Sequence, residues 1–276
     1  MTAYTRRDGR ARRDHGRAHA LAVNSEHRRL ERDCTPRPVI GQLIEVALDE
    51  LAELGMLPRP LVAFDGWAGA GPWSSQLRLA MVKRGLPLHI TAADINPAER
   101  VYMRRWADVA IIADVRRVLA AHSFDLIVAN PAFSHVTPDF QNRDPDRWPP
   151  EQTPVPLMLR SAPAALILHR HDVLCRGAGG QWLAEHYPPA RVWDIAGPVF
   201  FRGPGLNPEN GKPWAADQYS YSGYLWVRGH RGPWAHSVLP ALPVEDRRWT
   251  IRPGAEPLRL AREMGLIEAP RRKQQQ

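Results

Sequence analysis

The sequence predicts a doubly wound α/β fold built on a mostly parallel sheet, and three observations carry that reading. Short apolar runs of strand length alternate with helix-patterned segments from about residue 35 to residue 230. The first run closes in a Gly-rich turn, Asp65-Gly66-Trp67-Ala68-Gly69-Ala70-Gly71. The next three runs each close on a polar residue, Asp94, Asp114 and Asn130. Ligands of open parallel sheets gather outside the carboxyl ends of the strands. Four polar residues at four successive strand ends therefore also predict where a ligand binds.

Taken in order, Thr35-Pro36-Arg37-Pro38 opens a helix. Ile40, Leu43, Ile44, Ala47, Leu48, Leu51 and Leu54 recur at helical spacing, and Gly55 marks its stop. Residues 61–64 form a strand leading into the Gly-rich turn, and a helix over about 72–84 follows. The second strand spans 88–93 and ends at Asp94, and Pro97 starts a helix running to about Trp106. The third strand, 109–113, ends at Asp114. A short helix then leads to the fourth strand, Phe124-Asp125-Leu126-Ile127-Val128-Ala129, which runs into Asn130-Pro131-Ala132-Phe133. Residues 134–156 are polar, Pro-rich and without periodicity, the pattern of a long functional loop. A fifth strand over 164–169, a helix near 180–187, a sixth strand near 191–196 and a seventh over 221–227 complete the alternation. Residues 203–214 read as a loop, 254–268 as a terminal helix, and 270–276 as a basic tail.

The chain has 276 residues, enough for one large domain with appendages, and a net charge of +8. A basic excess of this size favours a polyanionic partner, of which nucleic acid is the simplest. Residues 1–33 hold nine Arg and five acids with few large apolar residues, the composition of a mobile basic tail. Two cysteines, Cys34 and Cys175, with no paired spacing argue against a zinc site and a disulfide framework. No His/Asp/Glu cluster has metal-ligand spacing, and His169 and His171 fall on opposite faces of a strand. No metal is expected. No apolar run reaches the length of a membrane span, and a cytoplasmic protein is expected.

The chemistry is concentrated in two elements. Gly69 and Gly71 permit a tight strand-to-helix turn that a ligand can approach closely. Asp94 can accept two hydrogen bonds from a ribose diol. Either Asp94 or Asp114 can instead cap a helix, a position where Asp is favoured. The Asn130-Pro131-Ala132-Phe133 turn suits an aromatic amino group. Such a nitrogen is a poor nucleophile because its lone pair is delocalised into the ring. Two acceptors on its hydrogens, the Asn130 side-chain oxygen and the Pro131 carbonyl, can draw it toward tetrahedral geometry and stabilise the positive charge that develops. Pro131 fixes its own φ and pre-organises the turn. Phe133 offers a ring for base stacking. Neither cysteine follows a proline in the manner of a nucleophile that attacks carbon, which disfavours covalent catalysis.

These motifs resemble those of S-adenosylmethionine-dependent N6-adenine DNA methyltransferases. The Gly-rich turn is similar to the Asp-Pro-Phe-Ala-Gly-x-Gly form of motif I, with Gly66 in place of Pro and Trp67 in place of Phe. Asn130-Pro131-Ala132-Phe133 resembles motif IV, Asn/Asp-Pro-Pro-Tyr/Phe, with Ala132 departing from the second Pro. Thr35-Pro36-Arg37-Pro38 resembles motif X, which packs over the methionine part of the cofactor. Asp114 resembles the acidic position that meets the cofactor's adenine. The order X, I, II, III, IV is that of the gamma arrangement, and the C-terminal part resembles short phage-type enzymes.

The resemblance spans about residues 34–230 and implies a Rossmann-like class I fold, a seven-stranded sheet with an antiparallel last strand. Residues 231–276 then form a C-terminal extension. It implies S-adenosyl-L-methionine as cofactor, held by Thr35, Asp65, Trp67, Gly69, Gly71, Asp94 and Asp114. Asn130, Pro131 and Phe133 are implied as the catalytic set, and DNA as the substrate. The residues themselves leave two alternatives open: methylation of another amino group, on an RNA base or a protein glutamine, and a nucleic-acid-binding protein that has lost turnover.

Overall fold

The computed structural model describes residues 35–131, 136–138, 149–199, 219–244 and 246–247. The first helix, α1 (Arg37–Glu53), carries Pro38 in its first turn, where the missing amide proton costs no helical hydrogen bond. The chain then alternates through β1 (Leu61–Gly66), α2 (Pro72–Lys83), β2 (Leu88–Asp94), α3 (Arg100–Met103), β3 (Val109–Ile112), α4 (Val115–Ala121) and β4 (Leu126–Ala129). It continues through α5 (Pro154–Ser161), β5 (Ala164–Arg170), α6 (Gly177–His186), β6 (Arg191–Asp194), β7 (Tyr221–Val227) and β8 (Ala235–Val238).

The eight strands form one sheet in the order β3-β2-β1-β4-β5-β7-β6-β8. The strands from β3 to β5 in this order pair in parallel. β7 runs antiparallel to both β5 and β6, as expected of the seventh strand. The order reverses between β1 and β4, so the carboxyl ends of these two strands flank the switch point where a doubly wound sheet opens a crevice.

Both faces of the sheet are covered, which explains why its central strands are continuously apolar instead of alternating. Along β4 and β5, Leu126, Val128, Ala164, Leu166 and Leu168 point into one core, with Val39, Ile40 and Leu43 of α1 and Trp73 and Leu77 of α2. Ile127, Ala129, Ala165 and Ile167 point into the other, with Val118 of α4, Met158 of α5 and Leu183 of α6. The period-two alternation of a strand thus feeds two hydrophobic layers at once.

Three expectations need correction. The sheet has eight strands, because β8 pairs in parallel with β6 beyond residue 230, inside the stretch expected to be an extension. The long loop expected over 134–156 ends earlier, since Pro150–Gln152 forms a 3-10 turn and α5 starts at Pro154. Pro154 and Pro156 lie in the first turn of α5, where no amide donor is needed, so the prolines that suggested a loop instead start a helix. The helix after β2 is shorter than expected. A 3-10 turn over Pro97–Glu99 leads into α3, and the chain leaves α3 through i→i+3 turns such as Trp106 N to Met103 O, 3.0 Å. Residues 203–214, the terminal helix expected over 254–268 and the basic segments at both ends lie outside the described residues.

Candidate functional site

β1 delivers Asp65 to the switch point fully buried. Its Oδ2 accepts two hydrogen bonds from Ser74 at the start of α2, 2.9 Å from the amide and 2.6 Å from the hydroxyl. Its Oδ1 is buried and meets no hydrogen-bond donor among the described residues. Burial pushes the Asp65 carboxyl up to about 7, against the lowering effect of the two Ser74 bonds. A buried carboxyl oxygen with no protein partner is expensive unless something else satisfies it.

The turn that follows is held in an unusual conformation. Trp67, Gly69 and Gly71 all have positive φ, at 59°, 49° and 74°. Glycine adopts that region freely, whereas a bulky side chain does so against a steric cost, so Trp67 is a strained position beside the ligand crevice. The turn is tied to the end of β2 by Ala68 N to Ala93 O, 3.0 Å, and Gly69 N to Asp94 Oδ2, 2.9 Å. Beyond its chain neighbours, a Cβ placed on Gly69 would meet no atom of the described residues within 4 Å. The space in front of this backbone is open.

Asp94 is half-buried at the end of β2, and its Oδ1 accepts from the Asn96 amide at 2.8 Å. Each oxygen holds one backbone bond and keeps a further lone pair, so the carboxylate can still accept from a pair of hydroxyls. Ile95, the next residue, is 66% exposed, an unusual placement for a large apolar side chain and one that sequence patterning did not single out.

Asp114 is also a helix cap. It is the N-cap of α4, accepting from the Arg116 amide at 2.9 Å, and its two oxygens also receive the Arg116 guanidinium. The Arg116 side chain holds its carboxyl below the usual carboxylate range. The charge of Asp114 is thus matched by Arg116.

At the end of β4, Asn130 is half-buried and Pro131 buried. Nδ2 of Asn130 donates to Oγ1 of Thr35 at 2.9 Å, and Thr35 is itself buried just before α1. Oδ1 of Asn130 is buried and accepts no hydrogen bond from the described residues. The geometry thus presents a bare acceptor at the carboxyl end of β4, next to the strand that carries Asp65. Of the site residues expected from sequence, Asp65, Trp67, Gly69, Gly71, Asp94, Asp114, Asn130 and Pro131 lie at or just beyond the ends of β1, β2, β3 and β4, and Thr35 is hydrogen-bonded to Asn130. Phe133 lies outside the described residues, as does 139–148 of the adjoining loop.

One supporting residue, Ser74, and one pairing, Thr35 with Asn130, were not read from the sequence. Ser74 supports Asp65, and Thr35 orients Asn130; the first is nine residues away and the second ninety-five. Ser74 carries a local signal, a hydroxyl at a helix start after a Gly-rich turn. The Thr35–Asn130 pairing carries none.

Sequence spacing also pointed to no metal-ligand set, yet the fold draws three such side chains together elsewhere, His171, Asp194 and His236.

No family model matches this sequence, and no curated protein matches it. Among solved structures, a protein assigned as a class I S-adenosylmethionine-dependent methyltransferase from Listeria monocytogenes superposes with a TM-score of 0.51 at 10% identity, covering 83% of this chain and 70% of that one. The fold is that of class I methyltransferases. A protein assigned as an RNA methyltransferase from Pyrococcus horikoshii gives a TM-score of 0.48 at 12% identity, covering 72% of this chain and 88% of that one. At such identity the likeness concerns architecture, and the chemistry has to come from the side chains at the crevice.

Proposed function

We propose that this protein is an S-adenosylmethionine-dependent methyltransferase that acts on an exocyclic amino group of a nucleic-acid base, adenine N6 in DNA. The observation that carries the reading is Asn130 Oδ1, a buried acceptor without a donor among the described residues, oriented from behind by Thr35 at the carboxyl end of β4.

The residues of the crevice fit the cofactor. Asp65 offers an unsatisfied carboxyl oxygen suited to an ammonium group. The open backbone at Gly69 leaves room for close approach, Asp94 suits a ribose diol, and exposed Ile95 offers an apolar face for a base. Bound there, S-adenosylmethionine supplies an electrophilic methyl group. Asn130 Oδ1 and the Pro131 carbonyl accept from the two hydrogens of the target amino group, and the acceptor pair stabilises positive charge as it develops on nitrogen. The chain places these acceptors on adjacent residues at a rigid strand end, so the attack geometry is set before the substrate arrives. Phe133 supports the base by stacking, and the +8 net charge supports a polyanionic substrate.

The test is nucleoside mass spectrometry of DNA and RNA from a host lacking adenine methylation, after expression of the full chain. N6-methyladenine in DNA is expected, and absent from cells expressing Asn130→Ala. Methylation confined to RNA, or no methylated base at all, overturns the reading.

A further inference from the structure

A second constellation lies on the other half of the sheet, at the same carboxyl-end edge as Asn130. His171 directly follows β5, Asp194 ends β6, and His236 lies in β8. Nδ1 of His171 stands 2.8 Å from Oδ1 of Asp194, and Nε2 of His236 stands 2.8 Å from Oδ2. The three potential ligand atoms all lie within 4.8 Å of one another. The Ser222 hydroxyl donates to Asp194 Oδ1 at 2.6 Å and orients the carboxylate from the neighbouring strand. The backbone frame is fixed by pairing: Asp194 sits opposite Ser222, Val192 opposite His236, and the His171 amide donates to Ser220 O at 3.0 Å. The side chain of Asp194 is 21% exposed, while those of His171 and His236 are 51% and 46% exposed, so the cluster opens to solvent.

Two imidazoles aimed at one carboxylate have a bland use, as hydrogen-bond partners of the acid. Three features favour a cation. First, the donor set of two nitrogens and one oxygen is the borderline set that suits zinc and its neighbours, and it is unsuited to the all-oxygen preference of magnesium or calcium. Second, ligand atoms of a tetrahedral site with bonds of about 2.0–2.1 Å stand roughly 3.3 Å apart, so the two 2.8 Å contacts open slightly and the wider separations, within 4.8 Å, close by side-chain rotation as the ion enters. Third, Ser222 supplies the outer hydrogen bond that commonly orients a ligating carboxylate.

We propose that His171, Asp194 and His236 bind a divalent transition-metal cation of the zinc type, with three protein ligands and a fourth position left to water. The site joins the end of β5 to β6 and to the edge strand β8. Binding to the folded chain therefore clips the C-terminal strand to the sheet and raises the melting temperature by mass action.

The experiment is calorimetric titration of chelator-treated full chain with zinc, alongside thermal melts with zinc and with magnesium. One equivalent of zinc should bind and raise the melting temperature, and magnesium should do neither. His171→Ala, His236→Ala and Asp194→Asn should each weaken zinc binding at least tenfold while keeping the circular-dichroism spectrum. If a variant fails to fold, X-ray absorption on zinc-loaded wild type decides, with two imidazoles and only nitrogen or oxygen ligands expected. No stoichiometric zinc binding, unchanged affinity in folded His171→Ala and His236→Ala, or a spectrum with sulfur or fewer than two imidazoles overturns the proposal.

Discussion

Thr35 and Asn130, ninety-five residues apart, share a 2.9 Å hydrogen bond in which the Asn130 amide nitrogen donates to the Thr35 hydroxyl. The bond ties the entrance of α1 to the carboxyl end of β4 and leaves Asn130 Oδ1 facing away as a bare acceptor. Removing either partner should therefore affect the chemical step. Asn130→Ala deletes one of two acceptors and is expected to lower kcat by about 10²–10³, or roughly 3–4 kcal/mol, with cofactor affinity unchanged. Thr35→Val keeps the shape and removes the oxygen. Single-turnover kinetics should show a smaller loss, of about tenfold, because the amide is present but no longer held. Equal rates for Thr35→Val and wild type would detach Thr35 from the mechanism.

Asp65 links pH to stability. Its carboxyl is pushed up to about 7 by burial, while an unfolded chain ionises near 3.8, so between those values the folded protein holds the extra proton. That contribution is fully present below the unfolded pKa and lost as pH rises through the folded one. Raising pH from 5 to about 7.5 should cost roughly 2–3 kcal/mol through this group. Asp108, Asp114 and Asp194, held below their ordinary values, contribute in the opposite sense and at more acidic pH. Urea denaturation of Asp65→Asn should show a flatter profile over this window than wild type. Parallel profiles would mean that Asp65 is ionised in the folded state throughout.

Gly69 tests the proposed cofactor site. Beyond its chain neighbours, a methyl group there meets no atom of the described residues, so Gly69→Ala brings only the cost of positive φ, about 1–2 kcal/mol. It also fills the space through which a ligand reaches the backbone. Calorimetry should show S-adenosylmethionine binding weakened at least tenfold in a protein that still folds. An unaltered dissociation constant would place the cofactor elsewhere.

Phe133 is expected to stack on the target base. Phe133→Ala should lose about 1–3 kcal/mol of binding to a duplex site. The loss should shrink when the target adenine is mismatched, since less unstacking is then required. Fluorescence of a base analogue at the target position, brightening equally with both proteins, would contradict stacking.

Packing on the α1 face has its own test. A Cβ on Gly223 of β7 would lie 2.2 Å from Leu43 Cδ2, so α1 rests directly on that bare backbone. Gly223→Ala should destabilise the protein by about 1–3 kcal/mol in chemical denaturation. Adding Leu43→Ala should recover part of the loss, because the clashing atoms are then gone.

The alternation of strands and helices, the strand ends at Asp65, Asp94 and Asn130, and the turn at Gly69 and Gly71 were all legible in the sequence. Each is written in a local pattern: apolar runs of strand length, helical periodicity, and glycines where the chain must turn tightly. Local signals also misled. Pro154 and Pro156 read as a loop because proline usually breaks structure, and only the placement of α5 put them in its first turn. β8 was missed because its four residues, Ala235–Val238, are all exposed and its status rests on pairing with β6. The pairing of Asp114, which caps α4, with Arg116 was not singled out in the sequence. The orientation of Asn130 by Thr35 and the meeting of His171, Asp194 and His236 belong to the tertiary structure alone. Contacts between residues tens of positions apart follow from how the layers pack and how the strands order across the sheet, and no local pattern records them.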